Sequence, residues 1–419
     1  YNKVFDLPGV SKGAKASVIG KIRDDGQYIV HNDGEEIVNA SAKEVTRGFL
    51  YDREFENPNL SFFEPDLSSY KDLGKTLLEI LAHENIASRE PIYEKYDKQV
   101  QGRVSVESGV ADSGVLTPFN STDYPKEIRK VGIALSTDHN PRYSMISPYW
   151  GGVNAVVEAM RNVASVGATP HAITDCLCYG NPEKPKQMWE FVEGTRGISD
   201  ACNAITLKDN PSYPTPIIAG NVSFYNESKN GPIPPSPIVS CLGRLKDIDY
   251  VLSMDFHSSG SDILMVGERK DELGGSIYYQ LLGELGANVP KPDFVEVRSQ
   301  IFAVTDCAEG GLILSCHDIS DGGIATSIAE MTFRKNIGCL VKVPGDLQDH
   351  KILFSETGGF VIETKKENTE NVIKVFKAHG LHASKIGETG GEYIQLNETI
   401  KVKVREARHR WENGLREKL

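Results

Sequence analysis

Four stretches hold residues whose types and spacing suit chemistry on a charged ligand. In AITDCLCYGNPEKP at 172–185, an expected strand delivers Asp175 toward a loop with Gly180, Asn181, Pro182 and Pro185. Functional carboxylates commonly sit where strands run into loops. Asp175 there suits a nucleotide or a hydrated metal, and it equally suits an Asp accepting N–H bonds in its own turn. In IIAGNVSFYNES at 217–228, an apolar strand runs into Gly220, Asn221 and Ser223. Gly220 permits close backbone approach, Asn221 offers a neutral oxygen to a hard cation, and Ser223 can hydrogen-bond a substrate group. A β-turn using Gly and Asn for their permissive φ explains the same residues.

The third stretch, LILSCHDISDGGIATSIAEM at 312–331, reads as a strand ending at His317-Asp318 before the pair Gly322-Gly323 opens a helix. A glycine-led helix N-terminus presents unpaired N–H groups to an anion, with Asp318 placed to hold an accompanying Mg2+. Ser320 or Asp321 also fits an ordinary N-cap, and the two roles are compatible. No Lys or Arg lies beside HDISDGG in sequence to neutralise a diphosphate. In STDHNPRYSM at 136–145, Asp138 and His139 are adjacent on an extended segment, where side chains alternate, so they do not act on one atom. A structural histidine is the favoured reading.

The seven cysteines, at 176, 178, 202, 241, 307, 316 and 339, lack paired C-x-x-C spacing and are odd in number. Neither a disulfide framework nor a zinc site is indicated, and no cysteine is set as a nucleophile, so glutaminase activity is not supported within the chain.

The elements that position these stretches read as two α/β or α+β units. A connector with one helix at Leu73–His83 comes first. A strand at Val131–Leu135 follows, then a helix from about Gly152 with Val153, Val156, Val157, Met160, Val163 and Ala164 on one face and Gly167 as its cap. A second helix runs through Met188, Phe191, Val192, Ile198 and Cys202. The later unit has strands at Ile263–Val266, Leu312–Leu314 and Phe360–Ile362 and a helix at Ile324–Met331. The expected domains are 1–45, the tail of a preceding domain; 46–100, the connector; 101–245; and 246–419. That tail is inferred from a repeat: ASVIGKIRDDGQYIV at 16–30 and ASKIGETGGEYIQL at 383–396 share Ala-Ser-x-Ile-Gly, a glycine turn and a Tyr-Ile strand. Each reads as a β-hairpin closing a domain.

A chain of 419 residues with 39% apolar and 25% charged residues is a multidomain globular protein with no apolar run long enough to span a bilayer. The net charge of −12 opposes binding to a phosphodiester backbone, which excludes nucleic acid as a partner. The chain opens on Tyr1 rather than Met, which reads as a processed or truncated polypeptide, and the absence of a leader makes the cytoplasm the expected compartment.

YDKQVQ at 96–101, STDHNPRY, GNPEKP at 180–185, AGNVSFYNES at 219–228, PPSPIVSCLG at 234–243 and HDISDGG at 317–323 occur in the order found in formylglycinamidine ribonucleotide synthases. Those proteins are the synthetase component of formylglycinamide ribonucleotide (FGAR) amidotransferase, and this chain resembles them from about residue 16 to Trp411. The resemblance implies the fold of aminoimidazole ribonucleotide synthetase: a barrel-half domain followed by an α/β C-terminal domain, duplicated in the full synthetase. It implies a ligase using ATP and Mg2+, in which the FGAR amide oxygen is phosphorylated and ammonia displaces phosphate. Asp175 and Gly220 are then expected to contact ATP, Asn221 to ligate Mg2+ and Ser223 to touch FGAR. The catalytic residues are expected in an N-terminal half that this chain lacks, with ammonia supplied by a glutaminase subunit and a small bridging subunit. Asp318 and Ser320 are expected to contribute to a second, noncatalytic nucleotide and metal site. Two alternatives remain: a noncatalytic nucleotide-binding scaffold half, or another ATP-using member of the same superfamily.

Overall fold

The computed structural model describes residues 16–48, 50–67 and 72–419. Residues 1–15 of the expected first domain lie outside the described residues. The chain divides into two compact units, Tyr1–Arg53 and Glu54–Leu419.

In the first unit, strands β1 (Gln27–Asn32) and β2 (Glu35–Ser41) pair antiparallel. The turn is Asp33-Gly34, with φ of 50° and 86°, the two positive φ values a tight two-residue hairpin loop requires. The Tyr-Ile strand therefore exists, but its partner follows it in sequence. Ala16–Ile22, expected as the other arm, carries no strand. Asp-Gly at 33–34 is the stronger turn former, and it sets the register one strand later than the repeat suggested.

The second unit opens with helix α1 (Leu73–Leu81), capped by the Asp72 carboxylate accepting from Lys75 N at 2.9 Å. Leu73, Leu77, Ile80 and Leu81 are all buried, so the segment read as a connector supplies part of a core. A six-stranded sheet follows, built from β3 (Val104–Val106), β4 (Gly114–Leu116), β5 (Gly132–Asp138), β6 (Thr169–Cys178), β7 (Ile217–Ser223) and β8 (Ser236–Leu245). Its order is β3-β4-β5-β8-β6-β7, antiparallel except for the parallel β6–β7 pair that leaves β7 at an edge. Helix α2 (Pro141–Ile146) leads directly into α3 (Pro148–Ser165), and α4 (Pro185–Ala204) packs against α3.

Helix α3 is central: Tyr149, Trp150 and Asn162 are its only residues not buried. It starts earlier than expected because Pro148 at its first turn and the Ser147 hydroxyl, accepting from Trp150 N at 3.4 Å, form a complete N-terminus. Its crossing with α4 is made by glycines: a Cβ on Gly152 would collide with the Gly194 carbonyl, and one on Gly197 with that of Tyr149. The backbones approach too closely for any side chain.

One face of the six-stranded sheet lies on these helices, with Ala134, Ile173, Leu177, Val239 and Cys241 in the core. The alternate residues, among them Leu135, Thr137, Cys176, Cys178, Ile238 and Ser240, face away from it and are exposed or half-buried. The sheet is apolar and covered on one side only.

The second sheet comprises β9 (Asp262–Val266), β10 (Ser315–Ile319), β11 (Cys339–Val341), β12 (Gly359–Thr364), β13 (Ala383–Thr389), β14 (Tyr393–Leu396) and β15 (Ile400–Lys403), ordered β10-β12-β9-β13-β11-β14-β15. Both faces are buried: Leu264 and Val266 join the core beneath α3, while Ile263 and Met265 join a second core with α1 and helix α5 (Gly323–Phe333). The expected strand at 312–314 falls instead at 315–319. The segment 383–396 is not a hairpin, since β11 lies between β13 and β14. Gly390 and Gly391, with φ of 147° and 76°, open the turn, and Gly390 N and the Gly391 carbonyl bond to Gly338 just before β11.

Candidate nucleotide and metal site

Two places in the second unit gather the residues that sequence reasoning selected. The first is the β6–β7 edge. Register pairs Asp175 with Gly220, Cys176 with Asn221 and Cys178 with Ser223, so residues up to 48 positions apart fall within four consecutive rungs. The strand pleat then sorts them. Asp175 and Gly220 point toward the α4 side, where a Cβ on Gly220 would lie 2.7 Å from Asp175 Oδ1. Burial on that side raises the Asp175 pKa above its ordinary value. Asn221 and Ser223 share the other, uncovered face with Cys176 and Cys178, and Asn221 Nδ2 lies 3.6 Å from Cys176 Sγ. A molecule touching all four must therefore wrap the sheet edge.

The loops after β6 and β7 are fastened together. Tyr225 N donates to the Gly180 carbonyl at 2.9 Å, Tyr225 OH donates to Glu183 at 3.0 Å, and Lys184 pairs with Glu227 at 2.8 Å. Asn226 Nδ2 donates to the Tyr179 carbonyl at 3.0 Å and to the Ser223 carbonyl at 2.8 Å. Tyr225 adopts φ of 60°, a conformation costly for a non-glycine residue, which these bonds hold. Most polar residues of GNPEKP and FYNES thus build the loops, the Ser223 hydroxyl is itself bonded to Asn226, and Asn221 is left presented.

The second place lies where β5, α3, β10 and the turn before α5 meet. Asp138, Glu158, Asp318, Asp321 and Glu356 crowd together, and burial is the first cause that pushes each carboxyl up from its ordinary pKa; neighbouring carboxylates come second at all but Asp321, where Asn140 and Arg89 oppose the rise. Asp318 reaches about 7, Asp321 about 6 and Glu356 about 8. Glu356 accepts from Gly322 N at 2.7 Å, Ile277 N at 2.9 Å and the Tyr143 hydroxyl, which oppose its rise. Asp318 Oδ1 accepts from the Ser320 hydroxyl at 3.3 Å, while its buried Oδ2 has no hydrogen-bond partner among the described residues. A cavity of about 560 Å³ opens over Asp138 and Asp321, and Arg89, Arg142, His139 and Asn140 line it as well.

Cations absent from the local sequence arrive through the fold. The buried Arg161 guanidinium on α3 lies 3.6 Å from Asp318 and 3.9 Å from Glu158. Arg89 contributes a favourable charge at Asp321. The expectation that no basic group serves HDISDGG is therefore corrected, because the neutralising residues lie more than 150 positions upstream. Burial opposes charging of His317, but Asp112 at 2.8 Å from Nδ1 and Glu330 at 3.0 Å from Nε2 raise its pKa well above the usual value. Ligand atoms of Asp112, His317 and Asp318 lie within 4.8 Å of one another. A metal ion there would have to displace the proton that Asp112 and Glu330 favour on the imidazole. Asp138 and Glu158 add carboxylates around Asp318 without joining that group.

His139, expected to be a structural histidine, has a buried Nδ1 with no hydrogen-bond partner among the described residues, and burial lowers its pKa to about 4. Glu158 and Arg161 were missed altogether. The available signal was a charged pair at i, i+3 inside an otherwise apolar helix face, since such charges are rarely buried unless they interact.

Two family models match this architecture: AIR synthase related protein, N-terminal domain, over residues 112–245, and its C-terminal domain over residues 258–396. The chain belongs to the AIR synthase related family, with a barrel-half domain followed by an α/β domain.

Within that family its relatives are specific. It is 44% identical over its full length to phosphoribosylformylglycinamidine synthase subunit PurL of Methanothrix thermoacetophila, spanning 54% of that protein. It is 35% identical over 98% of its length to PurL of Methanocaldococcus jannaschii, spanning 55% of it. The chain thus spans about half the length of the curated relatives it matches. The same fold appears in Thermotoga maritima PurL solved with FGAR, at 18% identity and a TM-score of 0.63, over 82% of this chain and 54% of that one. T. maritima PurL with ADP aligns with a TM-score of 0.61 at 18% identity, over 82% of this chain and 52% of that one.

Proposed function

We propose that this chain supplies part of the ATP, Mg2+ and substrate site of an FGAR-amidating ligase of de novo purine biosynthesis. The in-register β6–β7 edge carries the reading, because it presents Asp175, Gly220, Asn221 and Ser223 within four consecutive rungs. In this reading Asp175 and the Gly220 backbone contact ATP, Asn221 gives one oxygen to Mg2+, and Ser223 hydrogen-bonds FGAR. The bound metal neutralises phosphate charge and holds the transferred group. One neutral amide is too few ligands for Mg2+, which takes six oxygens, so phosphates, water and groups from outside this chain complete the shell.

The uncovered sheet face supports a second contributor. It exposes Leu116 and Leu135, with Ile238 half-buried on the same face, an apolar surface suited to an N-terminal half carrying the catalytic groups. Ammonia then comes from a glutaminase subunit with a small bridging subunit, and the assembly works in the cytoplasm. The test is FGAM formation from ATP, FGAR and ammonium, with and without the upstream half supplied in trans. Turnover only in the mixture supports the reading; robust turnover by this chain alone overturns it.

A second, noncatalytic reading concerns Asp318 and Ser320. The buried carboxylates beneath the 560 Å³ cavity, with Arg89 and Arg142 at its wall, suit a metal-bound nucleotide held for structure rather than turnover. Equilibrium binding of Mg-ADP to the chain, lost in Asp318→Asn, is the expected result. Unchanged binding in that variant refutes it.

A further inference from the structure

Cys176 and Cys178 were set aside in sequence because the seven cysteines are odd in number and lack paired C-x-x-C spacing. Strand geometry changes their meaning. Residues i and i+2 of a strand share a face, and β6 places both thiols on the uncovered side of the six-stranded sheet, half-buried, with Sγ atoms 3.8 Å apart. Cys202, Cys241, Cys307, Cys316 and Cys339 are buried.

Two thiolates about 2.3 Å from a tetrahedral metal ion stand about 3.8 Å from each other. A disulfide fits less well. Alternate residues of an extended strand have Cα atoms about 6.6–6.8 Å apart, at the outer limit for a bridge. Ladder pairing to β8 on one side and β7 on the other holds β6 extended.

We infer that Cys176 and Cys178 form a two-thiolate chelate for a soft divalent cation of the zinc or cadmium class. Asn221 is adjacent, its amide 3.6 Å from Cys176 Sγ, and Ser223 is the register partner of Cys178. A flipped Asn221 amide turns its oxygen toward the ion, and water fills the remaining position. Binding converts M2+ and two thiols into M(SR)2 and two released protons, with no change of oxidation state. Burial and the neighbouring thiol raise the Cys178 pKa, so the ion competes with protons and affinity rises with pH. Mg2+ does not compete for sulfur, because it prefers hard oxygen donors. Any inhibition of amidation by such an ion rests on the function proposed above, whereas binding itself does not.

The probe is Cd2+ titrated into the full chain, reduced and free of other metals, followed by the ultraviolet thiolate-to-cadmium charge-transfer band. The expected result is one Cd2+ per chain with two protons released. The band disappears in Cys176→Ser and in Cys178→Ser, and persists in Cys202→Ser. Prior treatment of the unmodified chain with phenylarsine oxide, which captures adjacent dithiols, also removes it and requires no variant to fold. Cadmium bound without the band places the ion on the oxygen cluster and overturns the inference, as does a band undiminished in Cys178→Ser.

Discussion

The β6–β7 edge and the carboxylate cluster around Asp318 both assemble polar groups from distant parts of the chain, but in opposite environments. At the edge, Asn221 is exposed, and Gly220 and Ser223 sit on a strand open to solvent. In the cluster, Asp318 is 1% exposed and Arg161 2%, and the charges are set against one another. Exposed groups carry little of the folding free energy and remain free to meet a ligand, whereas buried charges couple to stability whether or not a ligand ever binds. Only the cluster should betray itself in a melting curve.

Arg161→Met is the hardest blow to that contrast. Removing the cation leaves Asp318 and Glu158 buried without it, and breaking a buried pair costs about 3–5 kcal/mol. Denaturant unfolding of the variant measures this, and a loss below about 1 kcal/mol would erase the distinction between the two regions. At the edge, Asn221→Ala in the reconstituted synthetase is expected to lower turnover on the order of 100-fold, as loss of a metal-site partner does, while the melting temperature stays unchanged. An unfolded variant, or full activity, breaks the comparison from the other side.

A third test uses pH. Asp318, Asp321 and Glu356 have folded pKa values of about 7, 6 and 8, above the ordinary unfolded values of about 4. The folded state therefore binds more protons through this window, and stability falls as pH rises from about 4 to 8. His139, at about 4, has the opposite sign and costs stability as pH drops below about 6.5. Melting temperature should decline by several degrees between pH 6.5 and pH 8, and Asp318→Asn should flatten that decline. An unchanged slope in the variant means that Asp318 does not titrate there. The smallest effect belongs to Lys184→Ala, which removes the exposed 2.8 Å pair with Glu227 and should cost less than about 1 kcal/mol, despite lying in one of the most distinctive strings of the sequence.

Much of the fold was legible because α3, α4 and β9 bury residues at helical or strand spacing. Helix α3 was found from its apolar face, yet its start was misplaced, since proline and serine capping rather than apolar periodicity sets the first turn. The hairpin reading of 383–396 failed, because a strand next in sequence need not be next in the sheet: β11 intrudes between β13 and β14. Asp175, Gly220, Asn221 and Ser223 were each chosen from their own strand-to-loop context, but the sorting of Asp175 and Asn221 to opposite faces follows from register, which no single stretch contains.

By itself the sequence determined the family, the alternation of strands and helices, and which short segments carry ligand-suited residues, since these depend on local periodicity and on strings of adjacent residues. Tertiary structure alone decided that Arg161 answers Asp318 across 157 positions, that His317 is held between Asp112 and Glu330, and that two thiols separated by one residue lie at tetrahedral metal spacing. Each depends on distances of a few ångströms, over which charge and coordination operate, and folding alone sets those.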